Sequence, residues 1–177
     1  MYSSRIVLCL SVAAITPVFG CTSDPAVPAS LQGQVDRTLT FTQLKESPTS
    51  YRGRIVVLGG EVLSAKRLKE GTRIEVLQVP LDNSYSPGTD RTASQGRFLA
   101  LQREFLDPAT LPPGTRVTVT GEVTGATTLP LDETEYTYPV LEIKSLKVWP
   151  PMAESRLYYG PYTGPYWGRW GPYPYWW

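Results

Sequence analysis

Five short runs of apolar and β-branched residues constrain the fold of this chain more than any other feature. They occupy residues 54–65, 72–81, 96–102, 115–126 and 136–149. The fourth run contains the sequence VTVTGEV, in which valine and threonine alternate. Alternation with a period of two residues is typical of a strand that buries one face. We therefore expect a mainly β domain of five or six strands.

Two of these runs share a pattern that favours a strongly bent sheet. RIVVLGGEV, at residues 54–62, and RVTVTGEV, at residues 116–123, both place a β-branched run before glycine and then Glu-Val. Glycine inside a strand commonly marks a bulge or a sharp bend, which a small barrel needs where a strand turns a corner.

Two short helical segments are predicted beside the strands. One covers residues 40–48, with Thr40 as its N-cap and Pro48 as its stop, and the other lies within residues 103–114. Five strands with a helical segment between the third and the fourth have the element order of an OB-type barrel. We predict a small, all-β, OB-like antiparallel barrel, with a generic antiparallel sandwich as the alternative.

The N-terminus has the pattern of an export signal. Residues 1–5 carry one positive charge, and residues 6–15, IVLCLSVAAI, form an apolar run of about ten residues. That length fits a signal peptide and is well short of the ~20 residues that span a bilayer. We expect residues 1–20 to be a signal peptide that is removed.

A cysteine follows this signal where a lipoprotein signal would be cut. VFGC, at residues 18–21, resembles the bacterial lipobox, although Phe19 is bulkier than usual there. We expect cleavage between Gly20 and Cys21 and attachment of a diacylglycerol and an N-linked acyl chain, such as palmitate, to Cys21. An ordinary secretory signal that ends near a cysteine is the alternative.

Residue types and charge exclude several kinds of function. The chain has no histidine and two cysteines, of which Cys9 would leave with the signal and Cys21 would carry lipid. Histidine-dependent triads, histidine or cysteine zinc sites and thiolate nucleophiles are thereby excluded. Loss of Arg5 would turn the formal net charge of +1 into neutrality. We expect no nucleic acid partner, no metal, and no cofactor besides the acyl chains.

Two Ser-x-Lys pairs leave a serine-lysine catalytic site formally possible. Ser64 with Lys66, and Ser145 with Lys147, place a hydroxyl and an amine on the same side of a strand. This spacing is common in strands and carries little information. We expect ordinary surface residues here and no catalytic site.

Composition changes at both ends of the strand-rich part. Residues 21–36 are small and polar and are interrupted by Pro25 and Pro28, so they are predicted to form a flexible tether. Residues 37–150 would form the barrel domain. Residues 151–177 form a low-complexity tail rich in Gly, Pro, Tyr and Trp, which proline and glycine prevent from being helical.

The tail and one barrel face supply the candidate contact residues. Three interpretations of the tail stay open: an extension without a partner, rings placed among lipid headgroups, and rings stacked on sugars of peptidoglycan or lipopolysaccharide. The tail residues named for such contacts are Tyr166, Trp167, Arg169, Trp170, Trp176 and Trp177. On the barrel, the candidates are Glu75, Gln78 and Arg97, which we expect to be exposed on the second and third strands, where an OB-type surface can hold an oligomer.

Several blocks of the strand-rich part resemble the Slp family of Gram-negative outer-membrane lipoproteins, named for a starvation-inducible lipoprotein. The blocks are YRGRIVVLGGEV, IEVLQVPLD, GRFLA, FLDPATLPPGTRVTVTGEVTG and YTYPVLEIKSLKVW, in that order between residues 51 and 149. The tail from residue 152 lies outside them. The resemblance implies lipid anchoring at the outer membrane and supplies no catalytic residues. Thr22 agrees with it, because aspartate after the lipidated cysteine is the usual signal for retention in the inner membrane.

Together these observations predict a non-enzymatic, lipid-anchored barrel module of the outer membrane that serves envelope maintenance under stress or starvation. The alternative is a glycan-binding module that acts through the aromatic tail. The sequence leaves the oligomeric state open.

Overall fold

The fold is taken from a computed structural model of the chain, which describes residues 25–151. The expected signal peptide, Cys21 and nearly all of the aromatic tail lie outside these residues. Among the residues that are described, no helix has the length and apolar character needed to cross a membrane.

Five strands and a few short helical elements make up the described part of the chain. The strands are β1 (Ile55–Arg67), β2 (Thr72–Gln78), β3 (Gly96–Gln102), β4 (Arg116–Leu131) and β5 (Thr134–Val148). The helical elements are α1 (Ala29–Gln32), α2 (Phe41–Glu46) and three 3-10 turns at Pro48–Tyr51, Arg91–Ala93 and Pro108–Thr110. Each predicted strand is present and begins close to its predicted position.

The strands form a closed barrel in the order β1–β2–β3–β5–β4, with β4 pairing back to β1. The predicted barrel is therefore confirmed. The prediction that it is antiparallel throughout is wrong at one seam, because β3 and β5 run parallel from Leu99↔Val140 to Leu101↔Glu142. Neighbours in an antiparallel sheet alternate in direction, so a ring with an odd number of strands must contain one parallel pair.

Glycine serves the closure of the barrel in two ways. In the pairing of β4 with β5, register shifts lie at Thr120/Gly121 and Val123/Gly125, so the predicted irregularity beside Gly121 is confirmed. The extra residue is Lys144 of β5 at the first shift and Thr124 of β4 at the second. In β1 the register shift lies further on, between Val62 and Ser64. Gly60 instead allows β2 to approach closely, because an added Cβ would overlap the carbonyl oxygen of Leu77.

The core fills the inside of the barrel with alternate residues of every strand. Its fully buried side chains include Phe98, Ile74, Val76, Val117, Val119 and Leu141. Phe41 and Leu44 of α2 close the core, with the ring centroids of Phe41 and Phe98 6.2 Å apart. The predicted start of this helix is confirmed, since Thr40 forms a capping box with Gln43.

The segment that precedes α2 is not the free tether that its composition predicts, at least from residue 26 onward. Ala26 and Val27 are 6% and 4% exposed. Further on, Val35 forms a parallel bridge with Ile55. The sequence signal was misleading because two small apolar residues between prolines are enough to occupy a shallow patch on the barrel wall.

Candidate binding face

The outside of the barrel has two contrasting sides. The covered face is the outer side of β1 and β4 around Gly59, Thr118 and Thr120. The open face is the outer side of β2, β3 and the adjoining part of β5, around Glu75, Leu99 and Val140. The described chain buries Gly59, Thr118 and Thr120 on the covered face, whereas Glu75 and Arg97 on the open face remain partly exposed.

Two threonines show how completely the covered face is closed off. Thr118 and Thr120 point away from the core and yet are 0% exposed. The Thr118 hydroxyl donates to the carbonyl of Tyr85 at 2.6 Å and accepts the indole N–H of Trp149 at 2.9 Å. The Thr120 hydroxyl donates to the carbonyl of Ala26 at 3.4 Å. In the described part of the chain, no buried side-chain nitrogen or oxygen lacks a hydrogen-bond partner, as burial requires.

The β2–β3 loop, residues 79–95, supplies most of the rest of this cover. Leu81 and Pro87 lie directly on Gly59, where a Cβ would collide with the Leu81 side chain and approach Pro87 Cγ to 3.2 Å. Arg116 holds the loop and the C-terminal end together, because its guanidinium donates to the carbonyls of Pro87 at 3.0 Å and Pro150 at 3.4 Å.

The open face centres on a carboxylate that accepts three hydrogen bonds. Glu75 on β2 accepts from the Arg97 guanidinium at 2.9 Å, from the Tyr138 hydroxyl at 3.2 Å and from the Ser64 hydroxyl at 3.3 Å. The hydroxyl of Tyr136 accepts the backbone N–H of Arg97 at 3.1 Å. This cluster ties β1, β2, β3 and β5 together on the outside of the barrel.

Burial and charge fix the protonation states in this cluster. Burial raises the pKa of Tyr138, and the nearby Glu75 carboxylate raises it further. For Arg97, burial works against the charged form, but the hydrogen bond and charge of Glu75 outweigh it and raise the pKa. Tyr138 therefore remains a neutral donor and Arg97 a cation across the physiological pH range.

A groove of about 190 Å³ lies beside this cluster, over the parallel seam between β3 and β5. Its lining residues are Leu68, Glu70, Arg73, Leu99, Leu101, Thr127 and Val140. The strands contribute an apolar floor, the β1–β2 turn contributes Leu68 and Glu70, and the β4–β5 hairpin contributes Thr127. An apolar floor with a few charged groups at its rim is the usual make-up of a small binding site.

Charged and aromatic groups continue beyond the groove. Arg103 pairs with Glu142 at 2.6 Å, and Lys144 reaches Glu122 at 3.1 Å and Glu142 at 3.4 Å. The hydrogen bond from Arg103 lowers the pKa of Glu142, and the charge of Lys144 adds to this effect. Phe105 is 79% exposed, the greatest exposure of any large hydrophobic residue in the described part.

Of the three barrel residues that the sequence singled out, the structure brings two together. Glu75 and Arg97 are partners at the centre of the open face. Gln78 is not on this face: it is 7% exposed, and its side-chain oxygen accepts the backbone N–H of Gln95 at 3.1 Å. The exposure predicted for Gln78 is therefore wrong. Strand parity gives the reason, since residues three apart on a strand point to opposite sides.

Sequence reasoning missed the groove itself. Arg73, Leu99 and Leu101 share strand parity with Glu75 and Arg97 and were identifiable from that parity alone. Tyr138 was not, because the contact between β5 and β3 depends on the closure of the barrel. The predicted Cys21 site, with Gly20 and Thr22, and the six tail residues lie outside the described part.

The two Ser-x-Lys pairs show no catalytic arrangement in the described residues. Ser64 donates to Glu75, and that carboxylate is already engaged by Arg97 and Tyr138. Ser145 lies next to Thr120 on the covered face. The Lys147 amine sits 4.9 Å from the centre of the Trp149 ring. Within residues 25–151, no group of three His, Cys, Asp or Glu residues is placed to hold a metal ion.

Comparison with known proteins gives matches over most of the chain. The model of the outer membrane lipoprotein Slp family matches residues 18–177. The match includes the expected cleavage site and extends beyond the blocks at residues 51–149 into the tail. The uncharacterized lipoprotein YeaY of Escherichia coli K12 is 32% identical over 143 residues, which cover 76% of this chain and 69% of that protein. Outer membrane protein Slp of the same organism is 28% identical over 126 residues, covering 70% and 66%.

One solved structure gives a much weaker likeness. Pot1pC of Schizosaccharomyces pombe bound to single-stranded DNA has a TM-score of 0.31 at 11% identity, with 60% of this chain and 83% of that chain covered. A likeness at this level says nothing about what the present chain binds.

Proposed function

The chain belongs to the outer membrane lipoprotein Slp family, and from that premise we propose that it is a non-enzymatic binding module whose ligand lies on the open face of the barrel. It is a lipid-anchored protein of the outer membrane. The finer parts of the proposal are the site of lipid attachment, the absence of catalysis, the ligand, and a role in envelope maintenance under stress or starvation.

The proposed anchor is Cys21, and the signal that precedes it supports this assignment. Changing Cys21→Ser removes the sulfur that carries the diacylglycerol, so the variant should stay uncleaved or leave the outer-membrane fraction. Cys9→Ser is the matched control, because this cysteine would leave with the signal. Envelope fractionation with intact-mass analysis measures both. Normal localisation and an acyl-sized mass in Cys21→Ser would refute the assignment.

Sorting gives a second test of the same proposal. Thr22→Asp introduces the residue that usually retains a lipoprotein in the inner membrane, so this variant should move there in density-gradient fractions. Thr22→Ser should remain in the outer membrane. Unchanged sorting of Thr22→Asp would argue against the proposed use of the signal.

The observation that carries the binding proposal is the contrast between the two faces. In the groove, Leu101 and Val140 stay partly exposed beside the buried Leu99. On the opposite wall, Thr118 and Thr120 are fully buried. In OB-type barrels, the face of strands two and three and the adjoining loops bind oligosaccharides and oligonucleotides. At the outer membrane, we propose an oligosaccharide of peptidoglycan or lipopolysaccharide as the ligand.

Binding of purified peptidoglycan fragments and lipopolysaccharide tests this site. Arg73→Glu reverses a charge on the groove rim and should weaken binding by about tenfold, the order expected when one charged contact of about 1.4 kcal/mol is lost. Arg37→Glu makes the same charge change at an exposed position away from the groove and should leave binding unchanged. Equal binding by both variants would contradict a ligand site on the open face.

The alternative is that the aromatic tail binds glycan. The chain has five tryptophans, all in the tail except Trp149, and aromatic rings stack on sugar rings. Deletion of residues 152–177 separates the two proposals. Loss of glycan binding with Arg73→Glu unaffected supports the tail, and the reverse supports the open face. If the deletion abolishes binding to lipid vesicles and leaves glycan binding unchanged, the tail binds lipid headgroups.

The proposal that the module is not an enzyme rests on the described residues around Ser64. Its hydroxyl donates to a carboxylate that Arg97 already neutralises, which leaves no activated nucleophile there. Any turnover that Ser64→Ala or Lys66→Ala abolished would overturn this part.

A further inference from the structure

We infer that the covered face is the side of the barrel that rests against the bilayer, and that the open face is held away from the lipid. This inference rests on the lipid attachment at Cys21 proposed above. It concerns an orientation that neither the anchor nor the groove specifies by itself.

First, the connection between the anchor and the barrel is short. Ala26 is 6% exposed and accepts the Thr120 hydroxyl, and Val27 is 4% exposed. The chain is therefore fixed to the barrel wall from residue 26. Four residues lie between Ala26 and Cys21, and the five Cα–Cα steps that join them span at most about 17 Å when fully extended. The acylated end cannot travel far from Thr120.

The second step is the position of Thr120 in the ring. It lies on β4, whose neighbours are β1 and β5. The strands β2 and β3 are thus across the barrel from β4, and the groove is lined mainly from β3 and its neighbours. A short connection attached at β4 holds the β1–β4 side nearest the lipid and leaves β2 and β3 pointing outward.

The third step is that the C-terminal end leaves from the same side. The Trp149 indole bonds to Thr118, which is two residues from Thr120 on the same face of β4, a separation of about 7 Å. The Lys147 amine lies over the Trp149 ring at 4.9 Å. A tryptophan with a nearby lysine is characteristic of protein surfaces at the membrane–water interface. The aromatic tail follows directly, after Pro151.

A distance measurement from the lipid surface tests the orientation. The lipidated full-length chain would carry one nitroxide label, at Ser145→Cys beside Thr120 or at Arg73→Cys on the open face. The probe is a phosphatidylcholine vesicle containing a nickel-chelating lipid, which relaxes labels near the surface. We expect at least twofold greater relaxation enhancement at position 145 than at position 73. A label at Asn83→Cys, on the exposed loop of the covered face, repeats the test without disturbing β5.

The possible results of this experiment distinguish a wrong orientation from a wrong assignment of the lipid attachment at Cys21. Equal enhancement at positions 145 and 73, or greater enhancement at 73, would overturn the orientation while leaving the anchor intact. Dipolar coupling between nitroxides at position 145 of two molecules, without relaxation by nickel, would show that the covered face binds a second copy of the chain. That result would also overturn the orientation. An unmodified Cys21 mass with no enhancement at any label would refute the lipid attachment itself. A long Gly-Ser insertion after Asp24 should abolish the difference between the labels, and a difference that survived it would refute the short connection as its cause.

Discussion

The two sides of this barrel use similar strands for opposite purposes. On the covered face, threonines that alternate with core valines are buried completely by the N-terminal segment, the β2–β3 loop and Trp149. On the open face, the corresponding positions carry Glu75, Arg97 and Leu101, which remain partly exposed, although Leu99 between them is buried. The difference teaches that strand pattern specifies the inside of a barrel, while loops and termini decide which part of the outside is left for a ligand.

The largest expected change in unfolding free energy comes from displacing the β2–β3 loop from β1. Gly59→Val would place side-chain atoms against Leu81 and Pro87, and overpacking of this kind should destabilise the fold by about 3 kcal/mol. Gly88→Ala is the matched control, because its Cβ would meet only the Pro80 carbonyl at 3.5 Å. Urea unfolding measures both free energies. Equal stability of the two variants would mean that the loop is held far less tightly than its contacts indicate.

The second effect compares two threonines of the same strand. Thr118→Val removes the acceptor of the Trp149 indole and the donor to Tyr85, and should cost about 2 kcal/mol because buried polar groups lose their partners. Thr128→Val, on the exposed end of β4, should change the unfolding free energy by less than about 0.5 kcal/mol. Similar costs at both positions would remove the energetic distinction between the covered wall and the exposed hairpin.

The third effect concerns the open face. Glu75→Gln keeps an acceptor oxygen but removes the charge that pairs with Arg97, so the loss should be about 1 kcal/mol. Because Glu75 contributes to the raised pKa of Tyr138, the pKa of Tyr138 should fall, although burial still raises it. Tyrosine ring NMR during a pH titration measures this pKa. An unchanged Tyr138 titration would show that the cluster is not electrostatically coupled.

The smallest effect is a pH dependence at the edge of the open face. The Arg103 hydrogen bond lowers the pKa of Glu142 in the folded state, so the stabilisation is present above the unfolded pKa and is lost as the pH falls through the folded value. Arg103 is 70% exposed, so solvent screens the pair and its contribution should be smaller than that of the Glu75 cluster.

Glu142→Gln removes this contribution and should flatten the fall in urea midpoint between neutral pH and pH values below about 4. Asp36, Asp82 and Asp90 also have lowered pKa values. They remain in both proteins, so the difference isolates Glu142. A steeper loss of stability in acid for the variant would show that ionised Glu142 does not stabilise the fold.

Much of the barrel was predictable because its strands alternate. The third strand was placed correctly at both ends. The fourth was predicted to end at residue 126 and runs to Leu131, because the residues after Gly125 pair with β5 and so gain partners that local pattern does not reveal. The second ends at Gln78 and not at residue 81, since Pro80 cannot continue the ladder.

The candidate site was predictable only where it depends on parity within one strand. Glu75 and Arg97 were named, together with Gln78, as residues expected to be exposed on the second and third strands of an OB-type barrel, and applying strand parity would have kept Glu75 and removed Gln78. The covered face lay beyond sequence reasoning, because burial of Thr118 and Thr120 comes from segments distant in the chain. Polar residues that alternate with apolar ones in a strand usually face solvent. Here they form hydrogen bonds to the segments that cover the strand.

The parallel seam between β3 and β5 joins the strands over only Leu99, Ala100 and Leu101, opposite Val140 to Glu142. It is the shortest ladder in the ring, and it bridges segments far apart in the chain, so its amide protons should exchange with solvent sooner than those of the long β4–β5 ladder. The groove lies directly above it. A molecule bound there would hold β3 and β5 together where the barrel has its shortest ladder. Binding would then slow hydrogen exchange at the amides of this ladder.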